Sequence, residues 1–166
     1  MAAKTSNLLK ADIGLTERQR EAVVEILNAR LSDTVTLYIK TRKYHWNVRG
    51  IEFAQLHAFF EEQYDKLAEA MDEIAERVRQ LGGIAFGTME EFLRTTSLKE
   101  QPGVNPSAQE MIADLLQDHE TIIKQLRKDV DETGEELHDM GTSDFLTALM
   151  EAHEKMAWML RAHLEE

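Results

Sequence analysis

Lys43-Tyr44-His45-Trp46-Asn47-Val48-Arg49-Gly50, with the residues after it as far as Glu76, decides how the chain is read. His45 and His57 stand twelve apart, and Glu61 follows His57 at i+4. Asp72 and Glu76 form a second i,i+4 pair. Side chains so spaced share one face of a helix. With His57 set at 0°, Glu61 falls near ~40°, Asp72 near ~60° and Glu76 near ~100°. Imidazole with carboxylate suits iron in a site with open positions. Along the axis, however, His57 and Asp72 lie about 22 Å apart. One helix cannot bring both to one ion. Two copies crossing antiparallel near Lys66 and Leu67 can, and their symmetry makes two sites. Ala54, Ala58, Ala68 and Ala75 line the same arc and let two backbones approach. Leu56, Phe60, Leu67, Met71, Ile74 and Val78 form a stripe roughly 120° away, the expected core face. Taken singly, an i,i+4 acid pair is ordinary solvated surface, and a histidine beside a tryptophan is ordinary packing. The pattern alone therefore admits a metal site or a solvated acidic face.

At 166 residues the chain makes one domain with room for a full core. Its only prolines are Pro102 and Pro106, so long helices are possible elsewhere. Absence of cysteine excludes disulfides and thiolate metal sites. No stretch reaches the ~20 apolar residues of a membrane span, and no secretory h-region opens the chain. A net charge of −12 disfavours polyanions and favours cations.

Residues 1–15, with Lys4 and Lys10, read as a flexible tail ahead of a helical domain over 16–166. Thr16 to Gln19 is a capping box that opens a helix over about 17–46, with Val23, Leu27, Leu31, Val35 and Tyr38 inward. Asn47 to Gly50 is a turn. A second helix over about 52–81 stops at Gly82-Gly83. This short connection should bring the rings of His45 and His57 together. A long link over 82–106 holds a second capping box at Thr88, with a short helix from Met89 to about Thr95. The third long helix starts near Pro106-Ser107, with proline in its first turn, and carries the stripe Met111, Leu115, Ile122, Leu126 and Val130. Residues 134–143 read as a polar loop. The fourth runs from about Asp144 to 164, with Phe145, Leu149, Met156 and Leu160 inward. The fold class is all-α: a ferritin-like four-helix bundle with a short extra helix in the long connection between helices two and three. The Glu-x-x-His string of ordinary di-iron bundles occurs once, as Glu135 to His138 in a loop, and reads as chance.

The block Lys43, His45, Trp46, Asn47, Val48 and Gly50, continued by Phe53, Leu56-His57 and Asp72-Glu73-Ile74-Ala75-Glu76-Arg77, resembles the Dps miniferritins. The likeness covers essentially the whole helical part. It implies a hollow homododecamer in the cytoplasm that oxidises Fe(II) to Fe(III), preferably with hydrogen peroxide, stores the mineral and protects against oxidative stress. It implies intersubunit metal sites in which His45, His57 and Glu61 come from one subunit, and Asp72 and Glu76 from the other. Glu61 stands where some members carry aspartate. Trp46 would donate electrons beside the site; read from the residues alone, it packs under the turn. Asp144, Asp139 and Glu135 are the pore candidates, matched to acids near the fourth helix's start; otherwise Asp144 is a helix N-terminal acid and the others are solvated charge. His119, His138, His153 and His163 match no motif and are expected to be structural or surface residues. The alternative is a DNA-compacting protein of the nucleoid with iron storage secondary.

Phosphate contacts need cations; two tail lysines are few, though twelve tails on one particle could add up, and the net charge of −12 opposes binding. DNA binding is therefore expected to be weak or absent at about 0.15 M salt, and any binding should fall steeply as salt rises. A gel shift checks this; stable retarded complexes at that salt would contradict it.

Overall fold

The computed structural model describes residues 11–165. The lysines of the expected flexible tail, Lys4 and Lys10, lie outside the described residues. Within 11–15 the chain is irregular, and Leu15 packs against the core. The helices are α1 (Glu17–Asn47), α2 (Phe53–Gln80), α3 (Met89–Thr95), α4 (Ala108–Asp131) and α5 (Met140–Ala162). A π-helical turn, Glu132–Glu136, prolongs α4. Both expected capping boxes form, at Thr16 with Gln19 and at Thr88 with Glu91. A third, Ser107 with Glu110, opens α4. Pro106 therefore stands ahead of the cap and not in the first turn, as the sequence suggested.

α1 departs most from a simple amphipathic helix. Val23, Leu27, Leu31, Leu37 and Tyr44 are buried, but so are Arg20, Arg30, Asp33, Lys40 and a run of hydroxyl residues. Val35 and Tyr38, expected inward, are only partly buried. The reason is that α1 packs against α2, α3 and α4 at once. Ser32, Thr34, Thr36 and Thr41 satisfy their hydroxyls on the carbonyl four residues back.

The polar groups of α1 also set the topology. Arg20 donates to the Leu81 carbonyl at 3.0 Å. Asn28 pairs with the Ile84 carbonyl and the Phe86 N–H, both at 3.0 Å. Asp33 accepts from Thr96 and from the Ser97 N–H and hydroxyl at 2.6–3.0 Å. Lys43 donates to the Gln101 carbonyl at 3.1 Å. Partner numbers rise together, so the connection between α2 and α4 runs alongside α1 in the same direction. It returns the chain to the end where α2 began. α4 then descends antiparallel to α1: Tyr44 donates to Asp114 at 2.5 Å, Lys40 pairs with Asp118 at 2.5 Å, and Arg30 pairs with Asp129 at 3.3 Å. This is the crossover expected of a ferritin-like bundle.

The end of α4 differs from the expected loop over 134–143. The chain continues into the π turn, where Leu137 donates to the Glu132 carbonyl. His138 adopts a left-handed φ of 57°, and Asp139 caps α5 by accepting from the Thr142 N–H. Helix α5 thus starts at Met140, and Asp144 lies inside it. Phe145 is half-buried, while Leu146, one residue on, is fully buried with Leu149, Met156 and Leu160.

His119 on α4 and His153 on α5 are buried in the core, with their Nδ1 atoms 2.9 Å apart. One ring donates to the other. Burial pushes His153 down to about 4 and His119 well below the usual imidazole range. An unfolded histidine titrates near 6.5, so on acidification the unfolded chain takes up these protons first and the fold loses stability. Burial raises Asp118 and Asp129 to about 6, against the pull of Lys40 and Arg30, and these groups act with the opposite sign. A double variant, His119→Leu with His153→Leu, isolates the imidazoles. From pH 6.5 down to about 4, wild type should lose up to ~1.4 kcal/mol per pH unit per histidine relative to the variant. Urea unfolding followed by circular dichroism at several pH values measures it; parallel curves would contradict the assignment.

Candidate metal centre

The centre begins at the tight link between α1 and α2. Asn47 closes the last turn of α1 onto the Lys43 carbonyl, and Val48 caps it. Gly50 takes a φ of 118°, which side-chain-bearing residues rarely adopt. The chain reverses there, and His45 faces His57.

The two rings stack with centroids 3.7 Å apart and planes 21° off parallel. His45 Nδ1 donates to the His57 carbonyl at 2.7 Å, and His57 Nδ1 donates to the His45 carbonyl at 2.9 Å. A carbonyl can only accept, so both Nδ1 atoms carry the proton. With Nδ1 protonated, the neutral form of each ring has its lone pair on Nε2. An Nδ1–H bonded to a backbone carbonyl is how metal-binding histidines fix tautomer and orientation. The His45 carbonyl also lies in the last turn of α1, where such groups lack helical partners. His57 thus ties the end of α1 to the start of α2.

One turn along α2, Glu61 Oε1 accepts from the Tyr64 hydroxyl at 3.0 Å. The Glu61 carboxylate is exposed, as are Asp72 and Glu76 further along α2. Ala54 and Ala58 are exposed and Ala68 and Ala75 half-buried, whereas Leu56, Phe60, Leu67, Ile74 and Val78 are buried and Met71 is partly so. The expected division of α2 into core face and open face is therefore realised. About 22 Å of helix still separates His57 from Asp72. Among the described residues, no three His, Asp or Glu side chains of one chain converge on a common point. Half-buried His57 and the exposed carboxylates of Glu61, Asp72 and Glu76 lie along α2, and His45, buried at the end of α1, stacks on His57.

Trp46 is 61% exposed and lies beside Arg42, whose guanidinium carbon is 5.2 Å from its ring centroid. It is not packed under the turn. Asp144 and Glu135 are exposed, the latter on the π turn. Asp139 is a correction to the pore candidates. It is 5% exposed, and its carboxylate accepts from the Thr142 N–H and hydroxyl and pairs with Arg77 at 3.2 Å. Its lone pairs serve the fold. The string Glu135 to His138 presents both ends to solvent, away from the bundle core.

Sequence reasoning missed Tyr64 and Arg42. Both left a signal: Tyr64 sits three residues after Glu61, and Arg42 four before Trp46, spacings at which helix side chains meet.

The chain is similar in sequence and fold to known proteins. A ferritin-like domain model matches residues 24–166. An uncharacterized low temperature-induced protein of Nostoc sp. is 53% identical over 156 residues, covering 94% of this chain and 87% of that protein. The structure of DpsC from Streptomyces coelicolor superposes with a TM-score of 0.93 at 30% identity, over 100% of this chain and 96% of that one. A Dps protein from Vibrio cholerae O1, described as a member of a broad superfamily of ferritin-like diiron-carboxylate proteins, superposes at 0.88 with 32% identity, over 96% and 100% of the two chains. With the crossover bundle and the paired histidines in place, the chain belongs to the Dps family of ferritin-like proteins.

Proposed function

We propose that the chain is the subunit of a ferroxidase and iron store. Fe(II) is the substrate, hydrogen peroxide the preferred oxidant, and Fe(III) mineral the product kept inside a hollow dodecamer. The observation that carries this reading is the reciprocal bonding of His45 and His57, which frees both Nε2 atoms for a metal. In this reading His45, His57 and Glu61 of one subunit meet Asp72 and Glu76 of the partner subunit. Open carboxylates along α2 support it, as does the likeness to the Vibrio cholerae Dps protein, a ferritin-like diiron-carboxylate protein.

The chemistry follows from the ligand types. Neutral imidazoles and carboxylates hold Fe(II) while leaving positions open. The carboxylates favour the higher charge of Fe(III). Two Fe(II) ions give one electron each to one peroxide, which with two protons becomes two waters, so no hydroxyl radical leaves the site. Trp46, beside Arg42, can donate to stray oxidising equivalents. Asp144 and Glu135 are the acids free to raise Fe(II) concentration at a three-fold pore.

Stopped-flow absorbance should show faster Fe(II) oxidation with peroxide than with air. His45→Ala with His57→Ala should slow it by more than the roughly 10–100-fold that loss of an outer-shell partner costs. Equal rates for variant and wild type would sink the reading.

The intersubunit arrangement has its own test. Inactive His57→Ala and inactive Asp72→Ala chains, unfolded and refolded together, should recover activity that neither regains alone. In a mixed two-fold pair one site takes His57 from one chain and Asp72 from the other, while the second site lacks both. Random pairing makes about half the pairs mixed, so roughly a quarter of wild-type activity should return if sites act independently. Native mass spectrometry establishes that mixed particles form; no recovery in them would exclude a shared site.

A further inference from the structure

We propose that Tyr64 is a positioning residue for Glu61, fixing one carboxylate oxygen so that the other is held ready for the metal. The inference rests on Glu61 acting as a ligand, as proposed above. Glu61 is a long, exposed side chain with several rotamers, and ordering such a chain costs conformational entropy. The Tyr64 hydroxyl donates to Glu61 Oε1 at 3.0 Å and leaves Oε2 without a protein donor among the described residues. A phenol has one proton to give, so this bond selects one arrangement of the carboxylate. The long glutamate side chain is thereby restrained at its tip.

The tyrosine is itself fixed. It is 8% exposed. Its ring stands edge-on to His45, with centroids 5.2 Å apart and planes at 85°. Tyr38 meets it at 6.0 Å and 89°. The Arg42 guanidinium carbon lies 4.8 Å from its centroid, 5.5 Å from that of Tyr38 and 5.2 Å from that of Trp46. Arg42 in turn donates to the Tyr38 hydroxyl at 2.6 Å. A cation among aromatic faces is attracted to each ring. One guanidinium therefore clamps the rings around the site, and Tyr64 passes that rigidity to Glu61. Ligating carboxylates commonly depend on such outer-shell donors.

Tyr64→Phe keeps the ring and its neighbours and removes only the hydroxyl. The test is a titration of the assembled particle with Co(II), followed by its visible absorption, in wild type, Tyr64→Phe, Glu61→Gln and the double variant. Tyr64→Phe should weaken Co(II) binding by roughly 10–100-fold, with thermal unfolding and particle mass unchanged. In the Glu61→Gln background the same change should have no further effect. This coupling separates a positioning role from a packing role. Binding by Tyr64→Phe equal to wild type, or an equal loss in both backgrounds, would overturn the role of Tyr64 alone. Wild type that takes up no Co(II), or is indifferent to Glu61→Gln, would instead overturn the ligand role on which the inference stands.

Discussion

Buried charge on α1 is the constraint on which the rest of the structure depends. Arg30, Asp33 and Lys40 lie inside the bundle, each less than a tenth exposed. A buried charge is tolerated only with partners, and losing one partner of such a pair costs about 3–5 kcal/mol. The partners are spread over two other elements and α1 itself: Asp114, Asp118 and Asp129 on α4, Thr96 and Ser97 at the end of α3, and Asp33 for Arg30 within α1. Because each pair has a fixed place along α1, the set admits one register and one direction for α4. An apolar interface alone would tolerate sliding by a turn; this ladder does not.

The proposed metal centre inherits that order. With α1 locked against α4 and the crossover, its C-terminal turn has a fixed position. The Gly50 reversal and the two histidine–carbonyl bonds then lock α2 to α1 at the same end. Folding and the proposed chemistry use the same atoms here. The Nδ1 protons close the helix pair, and that use leaves both Nε2 atoms available for ligation. Along α2 the core face and the open face follow from one helical period. The open face stays uncovered within the subunit, which is the condition for sharing a site between two chains.

The sequence determined a good deal. Capping boxes at Thr16 and Thr88 fixed two helix starts to the residue, because the reciprocal bonds that define them are local. The apolar period of α2 separated Leu67 from Asp72 correctly, because within the subunit α2 buries one face and leaves the other open. The spacing of His45 and His57 across a short turn implied that their rings would meet. Family membership was legible in the same stretch, because its residue types recur at fixed intervals.

What only the tertiary structure decided lies where side chains answer to distant partners. The polar face of α1 is buried because three elements cover it, and no period within α1 could announce that. Asp139 reads as a surface acid until Arg77, far away in sequence, is found beside it. His119 and His153 are unremarkable in the chain and become a hydrogen-bonded core pair only when α4 and α5 pack. The π turn after α4 left no pattern, since one extra residue in a turn is chosen by the packing at both of its ends. Tyr64 and Arg42 became part of the site only when α1 and α2 were paired: the rings that hold Arg42 come from both helices, and local spacing describes one helix at a time.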